Sequence, residues 1–308
     1  MLTAERYRGA MLGLATGDAL GMPIEGYPPG RFEPLTEMIG DLPPGLSVGH
    51  WTDDTSMALC LAESLIEKGC FDPVDQLERY KRWIETGYMS STGEAFGMGI
   101  TVMAALGRFR ETHEPFPGPT EPDTAGNGSI MRLAPVPLFF SANPLEAIEM
   151  AGESSRTTNG ATTAVDACRY MAAIMIGALQ GKAKDEILGA GFTPEPGYWD
   201  REPLVAEISE IAEGSFKEKQ PPEIVGTGYV VKSLEAALWA FYTTNSFKDG
   251  CLAAVNLGDD ADTTGAVYGQ IAGAFYGVQA IPENWLDQLV QRELIQSMAD
   301  SLLIASDL

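Results

Sequence analysis

The sequence predicts an all-α fold, and three observations carry that prediction. Apolar residues recur at helical spacing: Met57, Leu61 and Leu65 with Ala58, Ala62 and Ile66 form one face, and Leu234, Ala237, Leu238, Phe241 and Tyr242 form another. Strand-like alternation bounded by turns is scarcely found anywhere in the chain. Proline and glycine clusters divide the rest into pieces of helical length, giving about a dozen helices.

Taken in order, the N-terminal run MLTAERYRGAMLGLATGDALG is apolar, with Glu5, Arg6 and Arg8 ahead of its core and Asp18 closing it. Its charge pattern resembles a leader only superficially, and it reads as a helix that continues. Loops follow at Gly26 to Pro34 and at Asp41 to Gly45, and the Met57 to Ile66 helix comes next. Glu114 to Asp123 is a further loop, after which Ser129 opens an apolar helix. The run Tyr170 to Leu179 is the most apolar later stretch and is too short to span a bilayer. Loops at Gly191 to Asp200 and Lys219 to Glu223 lead to the Leu234 to Tyr242 helix and finally to a helix over Ala266 to Tyr276. None of these loops is long or polar enough to be an interdomain linker, and no repeat of fixed period occurs, so one compact domain over residues 1–308 is expected.

With 45% apolar residues, 308 positions suffice for a sizeable core. Against 20 Lys and Arg stand 43 Asp and Glu, a net charge of −23, which repels phosphate backbones and anionic lipid. Neither nucleic acid nor membrane is an expected partner. The four cysteines (Cys60, Cys70, Cys168, Cys251) show no metal or redox spacing and fit a reducing cytoplasm. Only His50 and His113 supply imidazole, so any metal chemistry rests on oxygen ligands.

Two acidic knots supply them. Asn256 to Ala266 reads NLGDDADTTGA, and Thr52, Asp53 and Asp54 stand just ahead of the Met57 helix. Asp and Thr cap helices, but a cap needs one such residue, and crowded carboxylates repel unless a cation lies between them. If the two helix starts meet, Thr52, Asp53, Asp54, Asp260, Asp262 and Thr263 offer six hard oxygen ligands. That set suits two Mg²⁺ or Mn²⁺ ions better than one, and such a pair activates water. Two independent caps remain the alternative. The block AGNGSIMR suggests an anion site: Gly126 and Gly128 permit close approach, Asn127 tolerates unusual φ, and Ser129 begins a helix with free N–H groups. An ordinary helix-opening turn is the alternative.

These blocks, TDDT and GDDADTTGA with the N-terminal GLATGDALGMPIE, together resemble the ADP-ribosylglycohydrolase family. AGNGSIMRLAPV, SSRTTNGATTAVDACRY and GTGYVVKSLEAALWAF resemble further family blocks in the same order, over nearly the whole chain. The resemblance implies a compact orthogonal multi-helix bundle with a metal-containing cleft at helix N-termini. It implies that Thr52, Asp53, Asp54, Asp260, Asp262 and Thr263 bind the metals and that Glu25 stands beside them as catalytic acid or base. By the same resemblance Gly126, Asn127, Gly128 and Ser129 cradle the diphosphate of ADP-ribose, and Tyr229 packs near its adenosine half. Asp259 falls where the family usually has glycine and is expected to face outward.

The implied activity is metal-dependent hydrolysis of the glycosidic bond between ADP-ribose and a modified protein or small molecule, by a monomeric cytoplasmic enzyme. A hydrolase of another N-glycoside shares the same metal site. Two departures bear on turnover: Gly97 stands where relatives carry an aspartate, and Asn159 stands near a common histidine. Gly97 motivates the alternative of an ADP-ribose-binding pseudo-enzyme, in which Gly97→Asp restores cleavage. Glu94, three residues away, is the carboxylate that could substitute.

Overall fold

The computed structural model describes residues 4–40 and 45–306, so the turn expected at Asp41 to Gly45 lies, except for Gly45, outside the described residues. The first four helices are α1 (Ala4–Gly21), α2 (Asp53–Lys68), α3 (Pro73–Thr86) and α4 (Ile100–Thr112). Next come α5 (Pro135–Phe139), α6 (Pro144–Arg156) and α7 (Thr162–Leu179), then the short α8 (Lys184–Ile187), α9 (Tyr198–Arg201) and α10 (Ala206–Ala212). The chain closes with α11 (Val230–Thr243), α12 (Phe247–Val255), α13 (Ala261–Tyr276), α14 (Glu283–Gln288) and α15 (Arg292–Ser306). Among the described residues the fold is all-α, and the one extended pairing is a single bridge between Gly126 and Tyr229.

Several helix boundaries follow from local chemistry. Asp72 accepts from the N–H groups of Val74 and Asp75 at 3.1 and 3.0 Å, Pro73 follows it, and Gly87 closes α3 in the left-handed region. Asn143 with Pro144 starts α6, and Ser246 starts α12 by accepting from Asp249 N at 3.1 Å. The helices α2 and α13 differ: neither Thr52 nor Asp260, the residues at their N-caps, makes a side-chain capping bond. The reading of the two acidic knots as ordinary caps is therefore set aside.

The centre of the molecule is the pair α1 and α13, packed antiparallel along a seam of small residues. Gly9, Gly13, Gly17 and Gly21 recur one turn apart on α1 and meet Gly273, Gly269, Gly265 and Ala261 on α13. A Cβ added at any of the four α1 glycines would overlap the carbonyl oxygen of its partner, so the two backbones touch directly. Arg6 finishes the seam by donating from Nη1 to the carbonyls of Ala274 and Phe275, both at 2.9 Å, and to that of Ala178 at the end of α7. Buried side chains, among them Trp51, Trp83, Tyr170, Phe241 and Trp285, surround this pair.

One expected element is different. Ser129 does not open a helix; residues 127–134 form a chain of turns, and α5 begins only at Pro135. Gln270 on α13 supplies the bonds that a helix would have made. Its Nε2 donates to the carbonyls of Ile130 and Met131 at 3.1 and 2.7 Å, and its Oε1 accepts from Ala134 N at 2.7 Å. The buried turn is satisfied from outside its own segment.

Filling the seam is expected to destabilise the fold. Gly17→Ala should cost about 1–3 kcal/mol, from overpacking against a carbonyl that cannot yield. Gly107→Ala, on the exposed face of α4 with open space around it, should instead stabilise by about 0.5–1 kcal/mol. Urea midpoints of both variants check this; a neutral Gly17→Ala would remove the seam from the account.

Candidate active site

The α1–α13 seam carries the two acidic knots to one place. Gly21 at the end of α1 abuts Ala261 at the start of α13, so the short turn Met22–Ile24 delivers Glu25 over the first turn of α13. The carboxylate oxygens of Glu25, Asp260 and Asp262 lie within 4.8 Å of one another. Helix α2 enters from the other side: Thr52 Oγ1 stands 3.2 Å from Asp54 Oδ2 and 3.4 Å from Asp262 Oδ2. Glu25, Asp53, Asp260, Asp262 and Thr263 line a common cleft of about 420 Å³, with Thr52 and Asp54 buried beneath it.

A residue absent from the expected set organises this meeting. Asp18, fully buried on α1, accepts from the N–H groups of Thr52 (2.9 Å) and Thr55 (3.1 Å) and from Thr55 Oγ1 (2.6 Å). It is the missing cap of α2, supplied from another helix, and it holds Asp53 and Asp54 against the seam. Its signal in the sequence was the lone charge inside the apolar GLATGDALG helix, which served there only as the end of an apolar run.

The opposite wall is the Gly126 to Ser129 turn. Asn127 does not take a left-handed conformation; its role is in its side chain, whose Nδ2 donates to Asp260 Oδ2 at 2.7 Å and to Ser233 Oγ at 3.3 Å. An added Cβ at Gly128 would stand 2.9 Å from Val102 Cγ2, a packing contact within the protein, whereas at Gly126 it would meet only ordinary contacts. The Ser129 hydroxyl points into the core, bonded to Ser155 Oγ at 2.8 Å. Tyr229 lies outside the cleft lining: its backbone neighbours pair with the turn, and its hydroxyl donates to exposed Glu207 at 2.6 Å. Asp259 is exposed with φ 59°, locked by backbone bonds to Gly26 and Tyr27.

Burial and mutual repulsion raise Asp18, Glu25, Asp53, Asp54 and Asp262. Asp53 is pushed up to about 8, first by burial and then by the charge of Asp18, and Asp54 and Asp262 rise well above the usual carboxylate range for the same reasons. Asp18 rises to about 6 through burial, restrained by its bonds from Thr55 and Thr52. Glu25 presents an exposed face, yet enclosure of its carboxyl in the cleft, with the charges of Asp260 and Asp18, pushes it up to about 7. Asp54 Oδ1 and Asp262 Oδ1 are buried with no hydrogen-bond partner among the described residues. Hard, unpartnered oxygens on crowded carboxylates fit divalent cations, whose charge would offset both the repulsion and the desolvation.

A match to the family model described as ADP-ribosylglycohydrolase spans residues 1–308. The chain belongs to the ADP-ribosylglycohydrolase family. It is 39% identical over 298 residues to the ADP-ribosylarginine hydrolase Tri1 of Serratia proteamaculans, covering 97% of this chain and 79% of that protein. It is 30% identical over 312 residues to the ADP-ribosyl-[dinitrogen reductase] glycohydrolase of Rhodospirillum rubrum, with 99% and 97% covered. A solved structure titled ADP-ribosylglycohydrolase-related protein complex superposes with a TM-score of 0.86 at 42% identity, covering 98% of each chain. This protein is thus a hydrolase of the ADP-ribosylglycohydrolase family, and among its described residues no helix is long and apolar enough to cross a membrane.

Geometry changes the meaning of Gly97 in this ADP-ribosylglycohydrolase. Gly97 has φ 86°, and an added Cβ would overlap Asp53 Oδ1, so the backbone itself closes over Asp53. Glu94 is exposed and does not line the cleft, which leaves it no part there. Gly97→Asp is accordingly expected to lower turnover about tenfold or more by displacing Asp53, and a rise in steady-state rate would contradict this. Raised carboxyls also make the metal-free protein sensitive to alkali. Protons bound only in the folded state stabilise it at low pH, and that contribution fades as pH climbs from the ordinary 3.8 through about 6 for Asp18 and about 8 for Asp53. Melting in chelator should therefore weaken from pH 5 to 8, by about 1.4 kcal/mol per pH unit for each such proton. The Asp54→Asn, Asp262→Asn double variant should flatten the slope; an unchanged slope would count against the cluster.

Proposed function

We propose that residues 1–308 form one catalytic unit that hydrolyses the glycosidic bond between ADP-ribose and an arginine side chain. The observation that carries this reading is the cluster of Glu25, Asp260 and Asp262 above the unpartnered oxygens of Asp54 and Asp262, in a cleft whose opposite wall is a glycine turn. The cleft volume of about 420 Å³ suits a small-molecule moiety and not a flat protein contact. The arginine linkage is proposed from relatives named ADP-ribosylarginine hydrolases at 39% identity.

Thr52, Asp53, Asp54, Asp260, Asp262 and Thr263 are the proposed ligands of two Mg²⁺ or Mn²⁺ ions. Such ions, when bound, supply the positive charge that orients ribose hydroxyls and acidifies a water. Glu25, on the open side of the cluster, is placed to exchange a proton with that water or with the leaving group. The new bond runs from the water oxygen to the anomeric carbon of the ribose, and the bond from that carbon to the guanidine nitrogen breaks. The water gives up one proton to the Glu25 carboxylate, which passes that proton on to the departing nitrogen and returns to its starting state. Charge builds on the ribose ring as an oxocarbenium-like centre, near carboxylates that favour it. Asn127, bonded to Asp260, ties the ribose end of the cleft to the turn proposed to hold the diphosphate.

ADP-ribose release from ADP-ribosyl-arginine in Mg²⁺ or Mn²⁺ is the test. Activity should vanish in chelator and in Asp54→Asn and Asp262→Asn, while Glu25→Gln should lower kcat by about 10²–10⁴ with little change in KM. Release that survives chelation and all three substitutions would refute the assignment.

A further inference from the structure

Among the described residues one fully buried cationic side chain has no carboxylate partner. Arg132 is completely buried, and among the described residues no carboxylate pairs with it. Its donors all end on neutral oxygens: Nε on Tyr80 Oη at 3.1 Å, and Nη2 on Ser154 O at 3.4 Å, Thr157 Oγ1 at 3.2 Å and Thr158 Oγ1 at 2.7 Å. Nη1 donates to Gly128 O, in the turn that lines the cleft. A buried charge left without a counter-charge is expensive, and in a chain of net charge −23 an acidic partner would have been easy to supply. The protein leaves the counter-charge to something else.

The hydrogen bonds show where it belongs. Arg132 holds Gly128 O directly and reaches Gly126 O through a relay, since Thr158 Oγ1 donates to Asn159 Oδ1 at 2.8 Å and Asn159 Nδ2 donates to Gly126 O at 3.2 Å. In a planar trans peptide the C=O and the following N–H point in opposite directions. Drawing Gly128 O inward to the guanidinium therefore turns the Ser129 N–H outward. Asn127 O is likewise taken, by the N–H groups of Ile130 and Met131 at 3.1 and 3.2 Å, which turns out the Gly128 N–H. Among the described residues neither the Gly128 nor the Ser129 N–H donates to a protein acceptor. The free Gly128 N–H on the cleft wall, with the free N–H of buried Ser129 next to it and a full positive charge behind the turn, suits an anion in an otherwise acidic cleft.

We infer that Arg132 is a positioning residue for the polyphosphate part of the substrate: it orients the Gly126 to Ser129 turn and supplies the buried charge that a diphosphate balances across that turn without touching the guanidinium. Asn159 is the link that lets one arginine govern both ends of the turn. This inference rests on the proposed function for the identity of the ligand and adds to it the residue that makes the cleft accept an anion.

Calorimetry on the full chain in Mg²⁺, with ADP-ribose and with adenosine as probes, tests it. Arg132→Met should weaken ADP-ribose by about tenfold or more and adenosine by less than about twofold, because only the former brings a charge to the turn. Arg132→Lys, which keeps the charge and loses the planar fork, should show a smaller loss, about threefold or more, again confined to ADP-ribose. Equal losses for both probes, or no loss, would overturn the inference, since a merely structural arginine would affect both alike. If Arg132→Met shows no cooperative melt, Arg132→Lys decides by the same criterion. Wild-type protein that binds ADP-ribose without cleaving ADP-ribosyl-arginine would remove the arginine-linkage reading and leave this one standing; wild-type protein that binds no ADP-ribose would remove both.

Discussion

Direct backbone contact between α1 and α13 is the constraint on which the rest depends. Ordinary helix pairs stand about 8–10 Å apart because side chains separate them. Here three glycines of α1 face glycines of α13 and a fourth, Gly21, faces Ala261, and the helices close to carbonyl contact. Two consequences follow at the same end of the seam. Glu25, four residues beyond Gly21, arrives over Asp260 and Asp262, and Asp18, one turn before it, arrives under the start of α2. A larger residue at Gly17 or Gly21 would push apart the groups that must share one cleft. The seam thus acts on chemistry through distance alone.

The electrostatics of the cleft run against stability and toward binding. Four buried aspartates with raised pKa values, two of them with unpartnered oxygens, are a poor way to build a core. They persist because the surrounding structure over-determines them: Asp18 is held by Thr52 and Thr55, and Thr52 Oγ1 stands between Asp54 and Asp262. On the other wall the imbalance has the opposite sign, a buried guanidinium without a carboxylate. The cleft is therefore polarised across its width, with excess negative charge where cations fit and excess positive charge where phosphates fit. Sites whose ionisable groups are displaced in this way are where function concentrates.

Family membership and geometry bear on different questions. Membership of the ADP-ribosylglycohydrolase family rests on a match over residues 1–308 and on hydrolase relatives at 39% and 30% identity. They do not explain why a glycine occupies position 97. The positive φ and the closure over Asp53 do, and they turn an apparent loss of a carboxylate into a packing requirement. Asn159 likewise has a part of its own, since it joins the Gly126 carbonyl to Thr158 and through it to Arg132.

The all-α class and the two acidic knots were legible in the sequence because each rests on near neighbours: helical periodicity needs only three- and four-residue spacing, and charge crowding needs only adjacency. That the knots share one cleft was suggested by family likeness, and no local rule could have shown it. Asp18 went unrecognised because its partners, Thr52 and Thr55, lie 34 and 37 positions away. The local sequence around Ser129 favours a helix, and the fold overrides that preference because Gln270, more than 130 residues on, bonds the segment from outside. Short-range order is written in the side chains of one segment. Which backbones touch, and which charge is left to find its partner in a ligand, is decided only when distant segments pack.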